Sequence, residues 1–197
     1  MRTMARTNKE RTEATRAQLV EAARKLFIGK GYADTATPDI AAAAGVTRGA
    51  LYHHFEDKRA LFRVVCEREA EAVAAAVDAA TPSGTAPRDA LIKGGEAYLE
   101  AMQLSGRTRL LLLDGPAVLG RADMDAIDAR HGTRSLREGV VYAMREGALS
   151  RLLPVDAITA LLSSAFDRAA LAIDAGGDAE AYGQAMAALI DGLMQAR

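Results

Sequence analysis

A chain of 197 residues, half of them apolar, can bury a sizeable core in one large or two small domains. Its single cysteine, Cys66, excludes an internal disulfide and a multi-cysteine metal cluster, and no window approaches the roughly 18 apolar residues of a membrane span. The net charge of −1 hides an asymmetry, because residues 1–63 carry 12 Lys/Arg against 7 Asp/Glu while residues 64–197 carry 13 against 19. A basic amino-terminal third on an acidic remainder is the footprint of a nucleic-acid head on a body with another task. The opening MRTMARTNKERT lacks the apolar centre of a signal peptide, so a cytoplasmic location is expected.

Residues 1–12 carry Arg2, Arg6, Lys9 and Arg11 without apolar periodicity. They are expected to form a disordered basic arm, either touching phosphates or a minor groove or simply solvated. Thr15 and Gln18 fit a capping box, which predicts a helix starting there. Its apolar stripe is Leu19, Ala22, Ala23, Leu26 and Phe27, and Gly31 ends it.

Residues 37–55, TPDIAAAAGVTRGALYHHF, predict two short helices around a sharp turn. Thr37 is placed to cap the first, with Pro38 at its first position; Gly45 permits the backbone that ends it. Thr47 is placed to cap the second helix, whose inward residues Leu51 and Phe55 lie four apart. Its other face presents Arg48, Tyr52 and His53, the pattern of a helix-turn-helix whose second helix enters a major groove. Adjacent histidines point apart on a helix, so no metal role is expected for His53 and His54. Asp57 can cap a further helix, and Lys58 in its first turn is either a phosphate clamp or a solvated charge.

LVEAARKLFIGKGYADTATPDIAAAAGVTRGALYHHFEDKRALF resembles the amino-terminal domain of the TetR family of bacterial transcriptional regulators. The resemblance rests on the AA-x-x-LF helix, the G-Y link, the I-A-x-x-A-G-V turn, and G-x-LY-x-HF followed by Lys58 and Leu61. It covers about residues 13–65 and implies that Thr37, Thr47, Arg48, Gly49, Tyr52, His53 and Lys58 meet DNA. The side chains suit those roles: the Arg48 fork matches guanine O6 and N7, and Gly49 holds nothing between helix and duplex.

Residues 66–197 read as a helical carboxy-terminal domain, in which the fourth helix runs on to a TPSGTAP loop at 81–87 and helices follow it. That loop is expected to join head to body. Helices are predicted over about 88–104, 108–113 and 121–147, then in two final stretches; a break is expected at Asp114-Gly115-Pro116. With 43 alanines, helix is favoured but the buried faces are blurred. Cys66 reads as a small buried hydrophobe on a helix face, with a redox switch as the alternative.

The last two helices carry apolar stripes that include Ile158, Leu162, Phe166 and Ala169, then Tyr182, Met186, Leu189 and Leu193. Either these are ordinary core, or, as the resemblance implies, they pair with a twin to make a two-fold homodimer reading a palindromic duplex. The resemblance also implies an effector chamber among the middle helices. Its candidate lining is Tyr98, Met102, Leu110, Leu113, Met124, Ile127, His131, Tyr142 and Met144, suited to an apolar or amphipathic small molecule. His131, Arg134 and Arg137 either hold an anionic group or face water.

No G-x-S-x-G, Walker, H-E-x-x-H or dinucleotide motif occurs, so no catalysis, cofactor or metal is expected. The chain reads as an all-α, two-domain, homodimeric DNA-binding regulator, and the resemblance implies a ligand-responsive repressor. A constitutive DNA-organising protein and a helical small-molecule carrier are the alternatives.

Overall fold

A computed structural model describes residues 8–195. Among the described residues there are ten α-helices and no strand. The head comprises α1 (Asn8–Lys30), α2 (Thr37–Ala43), α3 (Arg48–His54) and the start of α4 (Lys58–Ala80). The body comprises the rest of α4, α5 (Pro87–Met102), a π-helical turn over Arg109–Asp114, α6 (Gly115–Leu119), α7 (Arg121–Arg130), α8 (Gly132–Arg145), α9 (Val155–Asp174) and α10 (Ala179–Gln195).

Three helix boundaries differ from expectation. Helix α1 already covers Asn8, so Lys9 and Arg11 are helical, and Thr15 lies inside the helix instead of capping it. Arg2 and Arg6 lie outside the described residues. At Asp114-Gly115-Pro116 the chain does not break. Pro116 offers no N–H to a carbonyl one turn back, and the turn widens so that the Gly115 N–H reaches the Leu110 carbonyl five residues away. A side chain at Gly115 would stand 2.9 Å from that carbonyl oxygen. The helix expected over 121–147 is split at His131, whose φ of −124° and ψ of −98° are non-helical.

The head is held by Phe27, Phe62, Leu19, Ile40, Leu51 and Leu61, all fully buried. Phe27 meets Phe62 edge-on with ring centroids 5.1 Å apart, and Tyr32 meets Phe62 at 5.0 Å. The same core continues through Val65, Cys66 and Val73 of α4 into Leu99, Leu110 and Ile127, so buried side chains run without interruption across position 65. Helix α4 is thus shared: its first turns close the head, and its later turns pack on α5 and α8. The 81–86 loop joins α4 to α5 within the body, and the head is joined to the body by α4 itself.

Candidate nucleic-acid interface and body cavity

Helix α2 starts from Ala36, with no side-chain cap, so Thr37 is its first residue and its hydroxyl is free for another bond. That bond is to Tyr52 on α3, with Oγ1 and Oη 3.0 Å apart. The turn between the helices closes through the Gly45 N–H on the Ala42 carbonyl at 3.0 Å and the Val46 N–H on the Ala41 carbonyl at 3.0 Å. Gly45 holds φ at +67°, a left-handed value that a β-branched residue would resist. Thr47 does cap α3: its Oγ1 accepts the Ala50 N–H at 3.1 Å.

Leu51 and Phe55 are buried as their spacing required, which turns Thr47, Arg48, Gly49, Tyr52 and His53 outward together. The Arg48 guanidinium carbon lies 5.5 Å from the centre of the Tyr52 ring, of which 42% of the residue is exposed. The Thr37 hydrogen bond, then the neighbouring Arg48, hold the Tyr52 phenol below its ordinary value. A methyl group at Gly49 would meet only Thr47 Oγ1 at 3.8 Å, so internal packing does not demand glycine there. Glycine inside a helix costs about 1 kcal/mol against alanine, and its use here leaves the outer face low. His54 turns inward toward Phe55; burial first, then the neighbouring His53, lower its imidazole below the ordinary value.

Lys58 stands elsewhere. Its Nζ donates to the carbonyls of Tyr32 at 2.8 Å and Thr35 at 2.9 Å, and sits 4.2 Å from the Tyr32 ring centre. The ammonium therefore ties α4 to the α1–α2 loop, a partner neither sequence alternative named. Asp57 caps α4 as expected, accepting the Ala60 N–H at 2.6 Å.

A buried charge network that sequence reasoning missed joins head to body. Glu69 of α4 accepts from Arg24 of α1 at 2.7 Å and from Arg107, between α5 and the π-helical turn, at 2.8 Å. Burial alone would raise the Glu69 carboxyl, but the bonds from Arg24 and Arg107 outweigh it and hold the carboxyl below its ordinary value. The signal was available: Glu69 occupies an inward position on the stripe that includes Phe62, Val65, Cys66 and Val73. Nearer the head, Arg59 donates to the Leu119 carbonyl at 2.8 Å, and both Arg59 and Arg63 pair with Asp123.

The body holds a half-open cavity of about 540 Å³ between the 81–85 loop and helices α4, α5, α7, α8 and α9. Of the candidate lining residues, Tyr98 and Tyr142 face it. Met102, Leu110, Met124, Ile127 and Met144 are buried in the core, and Leu113 is half exposed on the outside. His131 sits at the α7–α8 junction, with Nε2 3.9 Å from Glu67. Arg134 and Arg137 face carboxylates, Asp78 at 3.5 Å and Asp156 at 3.0 Å, and do not converge on an anion site. The residues that do line the cavity include Val77, Thr81, Gly94, Gly95, Leu136 and Phe166. Many are small or polar, which is why an apolar search of the sequence passed over them.

The two apolar stripes are split between interior and surface. Leu162, Phe166, Ala169 and Met186 are buried within the chain, while Ile158, Tyr182 and Leu193 are partly buried. Leu189 is 53% exposed and Leu161 69% exposed, beside exposed Ala157, Ala181, Ala185, Ala188 and Gly192.

A two-helix DNA-reading unit carried by the wall of a hollow helical body defines a DNA-binding regulatory protein. Residues 19–65 match the family described as bacterial regulatory proteins, tetR family, and residues 88–196 match the tetracyclin repressor-like carboxy-terminal domain. The regulator TtgR of Pseudomonas putida is 47% identical over 64 residues, 32% of this chain and 30% of that protein. The repressor BepR of Brucella suis is 43% identical over 65 residues, 33% of this chain and 31% of that one. The chain thus spans about a third of the length of these curated relatives. A crystal structure of a TetR-family transcriptional regulator from Pectobacterium atrosepticum superposes with a TM-score of 0.74 at 33% identity, covering 95% of this chain and 97% of that one. The chain belongs to the TetR family of bacterial transcriptional regulators.

Proposed function

We propose that this protein is a cytoplasmic repressor that holds a palindromic operator as a homodimer and releases it when a small molecule fills the body cavity. The observation that carries the reading is the double use of α4. Val77 and Asp78 of α4, with Thr81 just past its end, wall the cavity, while Leu61 and Phe62 at its other end close the head. The 23-residue helix is about 34 Å long and moves as a lever, so a displacement at the cavity reaches α3. Release by 100-fold requires the effector's affinities for the two states to differ by about 2.7 kcal/mol.

Arg48, Gly49, Tyr52 and His53 are the groove-facing set, with Thr37 bracing Tyr52 and Thr47 presenting its hydroxyl at the start of α3. The exposed Leu161 and Leu189 with their small neighbours supply the face for a twin. Two heads about one helical turn apart then read the two halves of a palindrome.

Selection of bound fragments from genomic DNA by the purified protein, followed by footprinting at physiological salt, tests the reading. One short palindrome is expected to be protected. Arg48→Ala should cost roughly 1–3 kcal/mol and relax sequence preference at one position. Equal loss on specific and random DNA would remove its base-reading role, and protection spread evenly over any duplex would leave a DNA-organising protein instead. Leu161→Arg should shift sedimentation from dimer to monomer and abolish protection of paired half-sites; a dimer that persists unchanged would move the interface elsewhere.

A further inference from the structure

The cavity is aromatic and one-signed. Tyr98, Tyr142 and Phe166 supply aromatic rings, and the charged side chains on its lining are Asp78, Asp128 and Glu138. Among the described residues, no Lys, Arg or His belongs to that lining. Arg134 stands at the rim, 3.5 Å from Asp78 and 3.5 Å from Glu138, and Ser135 also donates to Asp78 at 2.8 Å. That arginine answers the outer two carboxylates. Asp128 accepts the Thr133 hydroxyl and has no cationic partner among the described residues. Behind the wall, Asp167 of α9 accepts the Tyr98 hydroxyl at 2.6 Å, again without a cationic partner among the described residues. Burial, and then the nearby Asp128, raise the Asp167 carboxyl above its ordinary value. Asp167 thus holds the Tyr98 hydroxyl, and Asp128 stands on the same cavity lining as Tyr98.

We propose that the cavity takes an organic cation, an amine or quaternary ammonium on an aromatic or aliphatic body, with Asp128 and the Tyr98–Asp167 pair as its anionic side. The proposal rests on the reading of this cavity as the effector site and names the chemistry of the effector. A carboxylate drawn partly out of water without a partner is costly, and a cation entering the cavity relieves that cost. The rings of Tyr98, Tyr142 and Phe166 accept the apolar body, and a cation seated over any of their faces gains further attraction. An anion of the same shape meets repulsion from the same walls. A volume of about 540 Å³ is that of a site for a drug-sized molecule.

The test is calorimetric titration of the full-length protein with two pairs of ions matched in shape and opposite in charge. One pair is tetraphenylphosphonium and tetraphenylborate; the other, slimmer, is decyltrimethylammonium and decyl sulfate below their micellar concentrations. The cation of at least one pair is expected to bind about tenfold more tightly than its anion. Asp128→Asn and Asp167→Asn, which keep side-chain shape, should each lower cation affinity about three- to tenfold while leaving the anion no weaker. Anions binding as tightly as cations in both pairs, no binding by any of the four, or cation affinity unchanged in both variants would overturn the proposal. A second readout, anisotropy of the selected palindromic duplex, separates this from the effector reading. Charge-selective binding that leaves the duplex in place keeps the cation site and removes its regulatory role. Release of the duplex by neutral or anionic compounds alone keeps the regulation and overturns the cation site.

Discussion

The head and the body of this chain use helices in opposite ways. The head packs Phe27, Phe62, Ile40 and Leu51 into a solid core and turns outward Arg48, Tyr52 and His53, residues that core does not need. The body leaves space among α4, α5, α7, α8 and α9 and lines it with Tyr98, Tyr142 and Asp128, residues the core fails to cover. A surface site is defined by what points away from the packing. A cavity is defined by a mismatch in the packing itself, which depends on several helices at once. The same helix, α4, belongs to both regimes, and the Arg24–Glu69–Arg107 network lies at the crossing.

Breaking that crossing should have the largest effect. Glu69→Ala leaves Arg107, 9% exposed, without its counter-charge and should cost about 3–5 kcal/mol in urea denaturation. Because the Glu69 carboxyl is held below its ordinary value in the folded protein, its contribution is complete above the ordinary carboxylate range and fades as pH falls through the lowered value. The stability gap between wild type and Glu69→Ala should therefore narrow on acidification; a gap that widens would contradict the network. Lys58→Met sharpens the distinction between holding the head together and holding DNA. Losing an ammonium from the Tyr32 and Thr35 carbonyls should cost roughly 1–3 kcal/mol of stability. If the ammonium keeps those partners on DNA, the salt dependence of binding stays as it was; a slope flattened by about one would assign it to a phosphate. The smallest effect belongs to Cys66, in the shared core of head and body. Burial pushes its thiol up to about 12, so alkylation of the native protein should run about a thousandfold slower than after denaturation. Native reactivity near that of a free thiol would restore the redox alternative. Cys66→Ala should cost no more than about 1 kcal/mol.

How much of this was legible beforehand differs between the two regions. Thr47, Gly45 and Asp57 act through bonds within four residues, Leu51 and Phe55 turn inward at their spacing of four, and each does what its spacing predicted. Thr37 and Lys58 were placed on the right elements, but their actual partners, Tyr52 and the Tyr32–Thr35 loop, lie 15 and 23 or more residues away. In the body, helical spacing identified apolar residues without saying which of them pack and which face space. Met102 and Ile127 pack, Tyr98 and Tyr142 face the cavity, and the glycines and acids beside them carried no apolar signal. The two final stripes were broad because one side of each is interior and the other bare.

From the amino-acid order alone came the all-helical class, the two-helix reading unit with its caps and turn, and the outward set around Arg48. These follow from periodicity and from bonds closed over a few residues. Tertiary structure alone decided that α4 serves head and body together, that a charged triad lies buried between them, and that the body cavity carries an Asp128 carboxylate with no cationic partner among the described residues. Each of those depends on which distant helices come to face one another. Spacing along the chain does not carry that information.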